Sequence, residues 1–269
     1  MKNVLVPANQ THEMINTLRY AVSLGVKNSS KLFFLVASND RMDAVQYVND
    51  VYHSLGLTAD DSHCEIIVEN QQIDNEQIKK ATIDNKIDLV LIGANQDAHN
   101  ISFFGTQISH LISSLSCSVL SIPYGYNNLQ LNRIGYATEL DDFHARVKDI
   151  VPFARLFGAS IEACHVYPVF PQKVNVLKYD IKHALMQVRS ENNFDKIDLH
   201  FIKTPFNNEP VRGIREFINL YKPDMLVMFH RPRVVFDTIT MDQSATEAVV
   251  KLSPIPILAI NSATNCILP

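Results

Sequence analysis

Short apolar runs alternate with longer stretches in which apolar residues recur every three or four positions, and this alternation persists along the chain. Val4 to Val6 reads as a strand closed by Pro7-Ala8-Asn9, after which Met14, Leu18, Ala21, Val22 and Leu24 outline an amphipathic helix ending near Val26. The same logic predicts strands at Leu32 to Ala37 and Cys64 to Val68, and helices at Arg41 to Leu55 and Ile73 to Ile83. Strands and helices in strict alternation indicate a parallel sheet flanked by helices, joined by right-handed crossovers.

The stretch Asp88 to Pro123 is the most informative unit. Leu89 to Ile92 is continuously apolar, as a strand covered on both faces should be, and Gly93 marks a turn without a Cβ penalty. A polar segment carrying Asn95, Gln96, Asp97 and Asn100 leads to Gly105-Thr106, which opens a helix with Ile108, Leu111, Ile112 and Leu115 at its apolar positions. Ser118 to Ile122 is the following strand. A helix N-terminus with a glycine and a hydroxyl, facing a strand's carboxyl end, suits a phosphate or another anion. A cap and a turn explain the same residues without a ligand.

Pro123-Tyr124-Gly125-Tyr126-Asn127-Asn128 interrupts the pattern, and the alternation then restarts. Strands are expected at Ile134 to Thr138, Ser160 to Val166, Ile197 to Lys203, Met225 to Phe229 and Ile255 to Ile260. Helices are expected at Phe143 to Phe157, Val174 to Arg189, Pro210 to Tyr221 and Ala245 to Leu252. Lys86-Ile87-Asp88-Leu89 aligns with Lys222-Pro223-Asp224-Met225, and Cys117 to Ile122 aligns with Ile255 to Ile260. Matches in the same order at nearly the same offset indicate a tandem duplication, with domains at 1–123 and 131–269 and a linker at 124–130.

Composition narrows the function. A net charge of −4 with scattered basic residues gives no general attraction to nucleic acid or to an anionic membrane. The N-terminus lacks a secretory apolar run and nothing later approaches a membrane span, so a cytoplasmic protein is expected. Cys64, Cys117, Cys164 and Cys266 are far apart, without a C-x-x-C pair, and no H-E-x-x-H occurs, so neither a disulfide framework nor a metal site is indicated. No G-x-S-x-G, G-x-x-x-x-G-K-[ST] or G-x-G-x-x-G motif is present, which disfavours the corresponding enzymes.

The order of parts and the loop beginning at Gly93 resemble the universal stress protein family, whose nucleotide loop reads G-x2-G-x9-G-[S/T]. Gly93 and Gly105-Thr106 match its ends, Gln96 replaces the middle glycine, and the segment from Gln96 to Gly105 is one residue short. The resemblance covers nearly the whole chain as a tandem member. It implies two Rossmann-like domains of the adenine nucleotide alpha hydrolase-like type, each a five-stranded parallel sheet flanked by helices. In the family the first strand ends in an aspartate facing adenosine. Asn9 stands there in the first copy and Glu139, after Thr138, in the second. Val36 and Val166 match the adenine-lining position. As ordinary structural residues, Asn9 is a helix N-cap or turn residue and both valines are core.

The resemblance therefore implies a nucleotide site in the first domain formed by Asn9, Val36, Gly93, Gln96, Gly105, Thr106 and Gln107, for ATP or a related nucleotide. The second loop, Phe229 to Ser244, has lost every motif glycine and puts an aromatic ring, Phe229, where backbone should approach phosphate; its Arg231 and Arg233 read as solvated or acid-paired side chains. The expectation is a non-catalytic stress-response protein with a degenerate, nucleotide-free site. The alternative is an ATP-binding regulatory module using the loop from Gly93 to Thr106. Family members pair through their fifth strands, so this chain is expected to form an internal pseudo-dimer with Val119-Leu120 beside Ile257-Leu258. Phe103-Phe104 offers a surface for a further homodimer or for protein partners.

Overall fold

The computed structural model describes residues 2–10, 14–59, 63–70, 72–94, 105–141, 143–170, 180–206, 209–230, 249–250 and 253–261. The first half contains β1 (Asn3–Asn9), α1 (Ile15–Asn28), β2 (Lys31–Ala37), α2 (Arg41–Ser54), β3 (Cys64–Glu69), α3 (Asn75–Asp84), β4 (Leu89–Ala94), α4 (Gly105–Ser114) and β5 (Ser118–Pro123). The second contains β6 (Arg133–Ala137), α5 (Phe143–Phe157), β7 (Ser160–Phe170), α6 (Ile181–Asn192), β8 (Ile197–Phe206), α7 (Pro210–Tyr221), β9 (Met225–His230) and β10 (Ile257–Asn261). The helices expected at Val174 to Arg189 and Ala245 to Leu252 fall partly outside the described residues, and Phe103-Phe104, Cys266 and the loop after β9 lie wholly outside them.

Among the described residues all strands lie in one sheet of order β3-β2-β1-β4-β5-β10-β9-β6-β7-β8. Every pairing is parallel except β5 with β10, which is antiparallel. The central strands are apolar and buried on both faces, as parallel strands covered by helices must be. Val4, Leu5, Val6, Val90, Leu91, Ile92, Leu226 and Val227 are all fully buried.

Three strands run three or more residues further than the hydrophobic pattern indicates. β1 continues through Pro7 to Asn9, paired with β2 along its whole length. Its pairing with β4 stops at Leu5, so the N–H that Pro7 lacks falls where β1 has one paired neighbour. β7 and β8 continue as a two-stranded ribbon to Phe170 and Phe206, beyond Ala137, where the pairing of β6 with β7 ends.

The duplication is visible in atomic detail. Lys86 and Lys222 both adopt left-handed backbone, with φ of 51° and 47°. Each turns the chain so that the aspartate two residues on reaches the start of a neighbouring strand. Asp88 Oδ2 accepts from the backbone N–H of Lys2 at 2.6 Å and of Asn3 at 3.1 Å. Asp224 Oδ2 accepts from Asn132 at 2.8 Å and Arg133 at 2.9 Å. The backbone N–H groups of the two aspartates donate in return to the Asn3 and Arg133 carbonyls, each at 2.9 Å. A charged acceptor at the mouth of a strand satisfies donors that no ladder reaches.

The halves meet along β5 and β10, where Ser121 faces Ile257, Leu120 faces Leu258 and Val119 faces Ala259. Leu120 and Leu258 are buried there. Asn261 Nδ2, also buried, donates to the Leu115 carbonyl at 2.8 Å and ties the end of β10 to the end of α4. The connecting segment is held as well: the Tyr126 ring packs on Tyr20 of α1, and its hydroxyl donates to the Asp224 carbonyl at 2.9 Å.

Candidate functional site

In the order β3-β2-β1-β4-β5 the direction of chain travel reverses between β1 and β4, and open parallel sheets hold ligands at the carboxyl ends of the strands flanking such a reversal. The local geometry is that of a crevice. β1 and β4 pair only at Val4 with Leu89 and Leu5 with Val90, yet β1 runs on to Asn9 and β4 to Ala94, so the strands part as they approach their carboxyl ends. Asn9 lies on one lip, beside Ala37 of β2, and Gly93 lies on the other.

The sequence-derived candidates are distributed around this opening. Val36, beside Ala8, is fully buried in β2 and presents its aliphatic side chain to the core. Gly105 is the first residue of α4, and Thr106 and Gln107 follow in its first turn; the side chains of these residues lie outside the described set. Gln96 also lies outside the described residues, as do Arg231, Arg233 and Ser244.

The turn expected at Gly93 does not occur there. β4 passes straight through Gly93 to Ala94, and Gly93 is not among the residues with positive φ. What demands glycine is space. A Cβ at this position would lie 2.8 Å from Thr17 Oγ1 and 3.1 Å from Met14 Sδ, because the first turns of α1 press directly on the strand. Gly93 thus has a packing role that needs no phosphate.

One contact was not legible in the spacing of motifs. Tyr47 of α2 reaches across to donate its hydroxyl to the Asn9 carbonyl at 3.3 Å, and burial pushes that hydroxyl up to about 12. Tyr47 lies three residues after buried Ala44 and four before buried Val51, so its place on the inward flank of α2 was the available signal.

The second half has its own reversal, between β6 and β9. Thr138, buried at the end of β6, accepts through its carbonyl from His165 Nδ1 at 2.9 Å and through Oγ1 from the Leu140 N–H at 3.1 Å. Cys164 is buried beside it, and burial raises its thiol far above the ordinary range, as befits an inert core cysteine. Phe229, at the position corresponding to Gly93, sets its ring edge-on to Tyr136 at 5.7 Å, with the Arg146 guanidinium 4.7 Å over its face. Among the described residues no group of three or more His, Cys, Asp or Glu could hold a metal ion, and no helix is long and apolar enough to cross a membrane.

Solved structures share this architecture from end to end. A universal stress protein from Archaeoglobus fulgidus DSM 4304 superposes with a TM-score of 0.70 at 13% identity, covering 96% of this chain and 98% of the other. The chain has the tandem universal stress protein fold. A Pseudomonas aeruginosa UCBPP-PA14 protein provisionally described as a universal stress protein matches with a TM-score of 0.69 at 14% identity, covering 97% of this chain and 93% of its own. A functionally unknown protein of Pseudomonas aeruginosa PAO1 matches at 0.68 and 15% identity, covering 97% and 92%. No family model matches the sequence, and no curated protein matches it. The universal stress protein fold is therefore kept by the buried pattern and by the sheet order, with little residue identity.

Proposed function

We propose that this chain is a non-catalytic regulatory protein of the universal stress type, with a degenerate nucleotide site in its first half. The observation that supports the reading is the packing at Gly93. The one motif glycine on the strand lip is occupied on its inner side by Met14 and Thr17, so its presence is explained by α1 and not by a ligand. Gln96 in place of the middle motif glycine and the shortened loop agree with drift away from phosphate binding. In this reading the domains are 1–123 and 131–269, joined by 124–130, and the antiparallel contact of β5 with β10 supports an internal pseudo-dimer. That contact covers the strand edges that would otherwise recruit a second chain. Function then passes through protein partners or a homodimer of cytoplasmic chains, not through nucleic acid, a membrane or a metal.

A second reading has its own support. β1 and β4 separate towards Asn9 and Gly93, as a base and ribose would need, and α4 starts at Gly105 on the same side of the sheet ends, as a phosphate would need. In this reading ATP or a related nucleotide binds the first half only, held by Asn9, Val36, Gly93, Gln96, Gly105, Thr106 and Gln107, and shifts the choice of partner.

Titration of the purified chain with ATP and ADP by calorimetry, with native mass spectrometry for stoichiometry, separates the two. The degenerate site gives no heat at millimolar nucleotide. One bound nucleotide, lost in Gly105→Asp, makes the ATP-binding module correct.

A further inference from the structure

A cavity of about 230 Å³ lies at the amino ends of β2 and β3, the ends opposite the crevice between β1 and β4. Gly25 in the last turn of α1, Leu32 of β2 and Tyr52 in the last turn of α2 form its walls, and all three are buried. Ser29, Thr58 and His63 form its exposed rim. The walls are set by packing. Leu32 presses so closely on α1 that a Cβ at Gly25 would lie 2.8 Å from its Cδ2. The Tyr52 ring stands edge-on to Phe34, with centroids 6.3 Å apart, and its hydroxyl is hydrogen-bonded to Cys64. Ser29 leaves α1 in left-handed backbone, with φ of 51°, and its N–H donates to the Gly25 and Val26 carbonyls.

Size and lining together select a ligand class. Pockets for drug-sized ligands run to about 300–1,000 Å³, whereas a cavity of about 150 Å³ already takes benzene. The space here suits one ring with a small substituent. Among the described residues that line it there is no Asp, Glu, Lys or Arg, so a charged ligand would be desolvated without a counter-ion. The carbonyl ends of α1 and α2 carry partial negative charge, and the rim adds the Ser29 and Thr58 hydroxyl oxygens, so the polar side of the cavity favours a donor. We infer that this cavity binds a small uncharged aromatic ring bearing one hydrogen-bond donor, the chemistry of a phenol. The ring lies among Gly25, Leu32 and Tyr52, and its hydroxyl donates to the rim. The site goes beyond the nucleotide question, since it occupies the other end of the strands and is too small for a nucleotide.

The test is titration of the full-length chain with para-fluorophenol and with fluorobenzene, followed by fluorine NMR, with the protein's backbone amide shifts mapped at saturation. Para-fluorophenol is expected to bind one-to-one, with the largest shifts at Gly25, Ser29 and Thr58. Fluorobenzene, which lacks the donor, binds at least about tenfold more weakly, as does para-fluorophenol to the double variant Ser29→Ala with Thr58→Val. Both substituted positions are exposed, and the fluorobenzene comparison needs no variant at all. No saturable binding in the millimolar range overturns the inference, and so do shifts centred away from these residues. Equal affinity for the two probes also overturns it, because a generic apolar cavity behaves in that way, and so does a double variant that binds para-fluorophenol as wild type does. ATP titration of wild type and Gly105→Asp reports on the carboxyl ends of the strands, so failure there and failure here are separate results.

Discussion

Replacing Gly93 by alanine separates a packing glycine from a ligand-binding one. Where the backbone tolerates a side chain and space is free, glycine to alanine stabilises a protein by about 0.4–1 kcal/mol, because the unfolded chain loses freedom. Gly93 does not have positive φ, so the backbone poses no obstacle. The added Cβ, however, would approach Thr17 Oγ1 to 2.8 Å and Met14 Sδ to 3.1 Å. Met14 is flexible and can yield; Thr17 is β-branched, buried, and fixed to the first turns of α1. Overpacking a core in this way costs about 1–3 kcal/mol, so strain exceeds the entropic gain and the net loss is on the order of 1–2 kcal/mol. For a chain of this size the melting temperature should fall by roughly 2–8 °C. Urea or thermal unfolding of the nucleotide-free protein measures this directly. The decisive arm is a double-mutant cycle with Thr17→Ala, which vacates the space the new methyl needs: the two changes should be non-additive, with a favourable coupling of about 1 kcal/mol or more. A Gly93→Ala protein as stable as wild type, or one whose loss is unaffected by Thr17→Ala, would refute the reasoning.

Further expectations follow from other contacts. Asp88→Ala and Asp224→Ala each strip a carboxylate from two strand-opening N–H groups and should each cost about 1–3 kcal/mol in urea unfolding, reduced where water reaches the freed donors. Asp224→Ala also loses the Asn128 side-chain bond at 3.1 Å. Leu258→Asp buries an unpaired carboxylate opposite Leu120 at the seam between the halves and should destabilise the chain by several kcal/mol, on the order expected for an uncompensated buried charge; a small change would place the seam away from the core. Burial raises the hydroxyls of Tyr47 and Tyr126 from 10.0 to about 12, the latter helped by the nearby Asp224 charge. The folded chain then holds protons that the unfolded chain releases, so stability is fully present below pH 10 and falls as pH rises from about 10 towards 12, a decline that urea titrations at stepped alkaline pH should follow alongside tyrosinate absorbance.

Much of the architecture lay open in the sequence. Buried parallel strands need continuous apolar runs and covering helices need apolar positions at helical spacing, so Leu89 to Ile92 and the helix after Gly105 declared themselves locally. The repeated Lys-x-Asp ahead of β4 and β9 revealed the duplication, and the structure shows its work: a left-handed lysine that swings a carboxylate onto the neighbouring strand. The candidate site was less legible. Its Gln96 and the Phe229 to Ser244 loop could be read as departures from a motif, but the meaning of Gly93 could not. A glycine in a line of residues signals either a backbone that must turn or a neighbour that must come close, and only the approach of Met14 and Thr17, far away along the chain, decides for the second. The direction of β10 beside β5, the parting of β1 from β4, and the Arg146 guanidinium over Phe229 are of the same kind. Periodicity reports which face of a residue is buried; it carries no record of what buries it, and that partner is set by the long-range packing of the whole sheet.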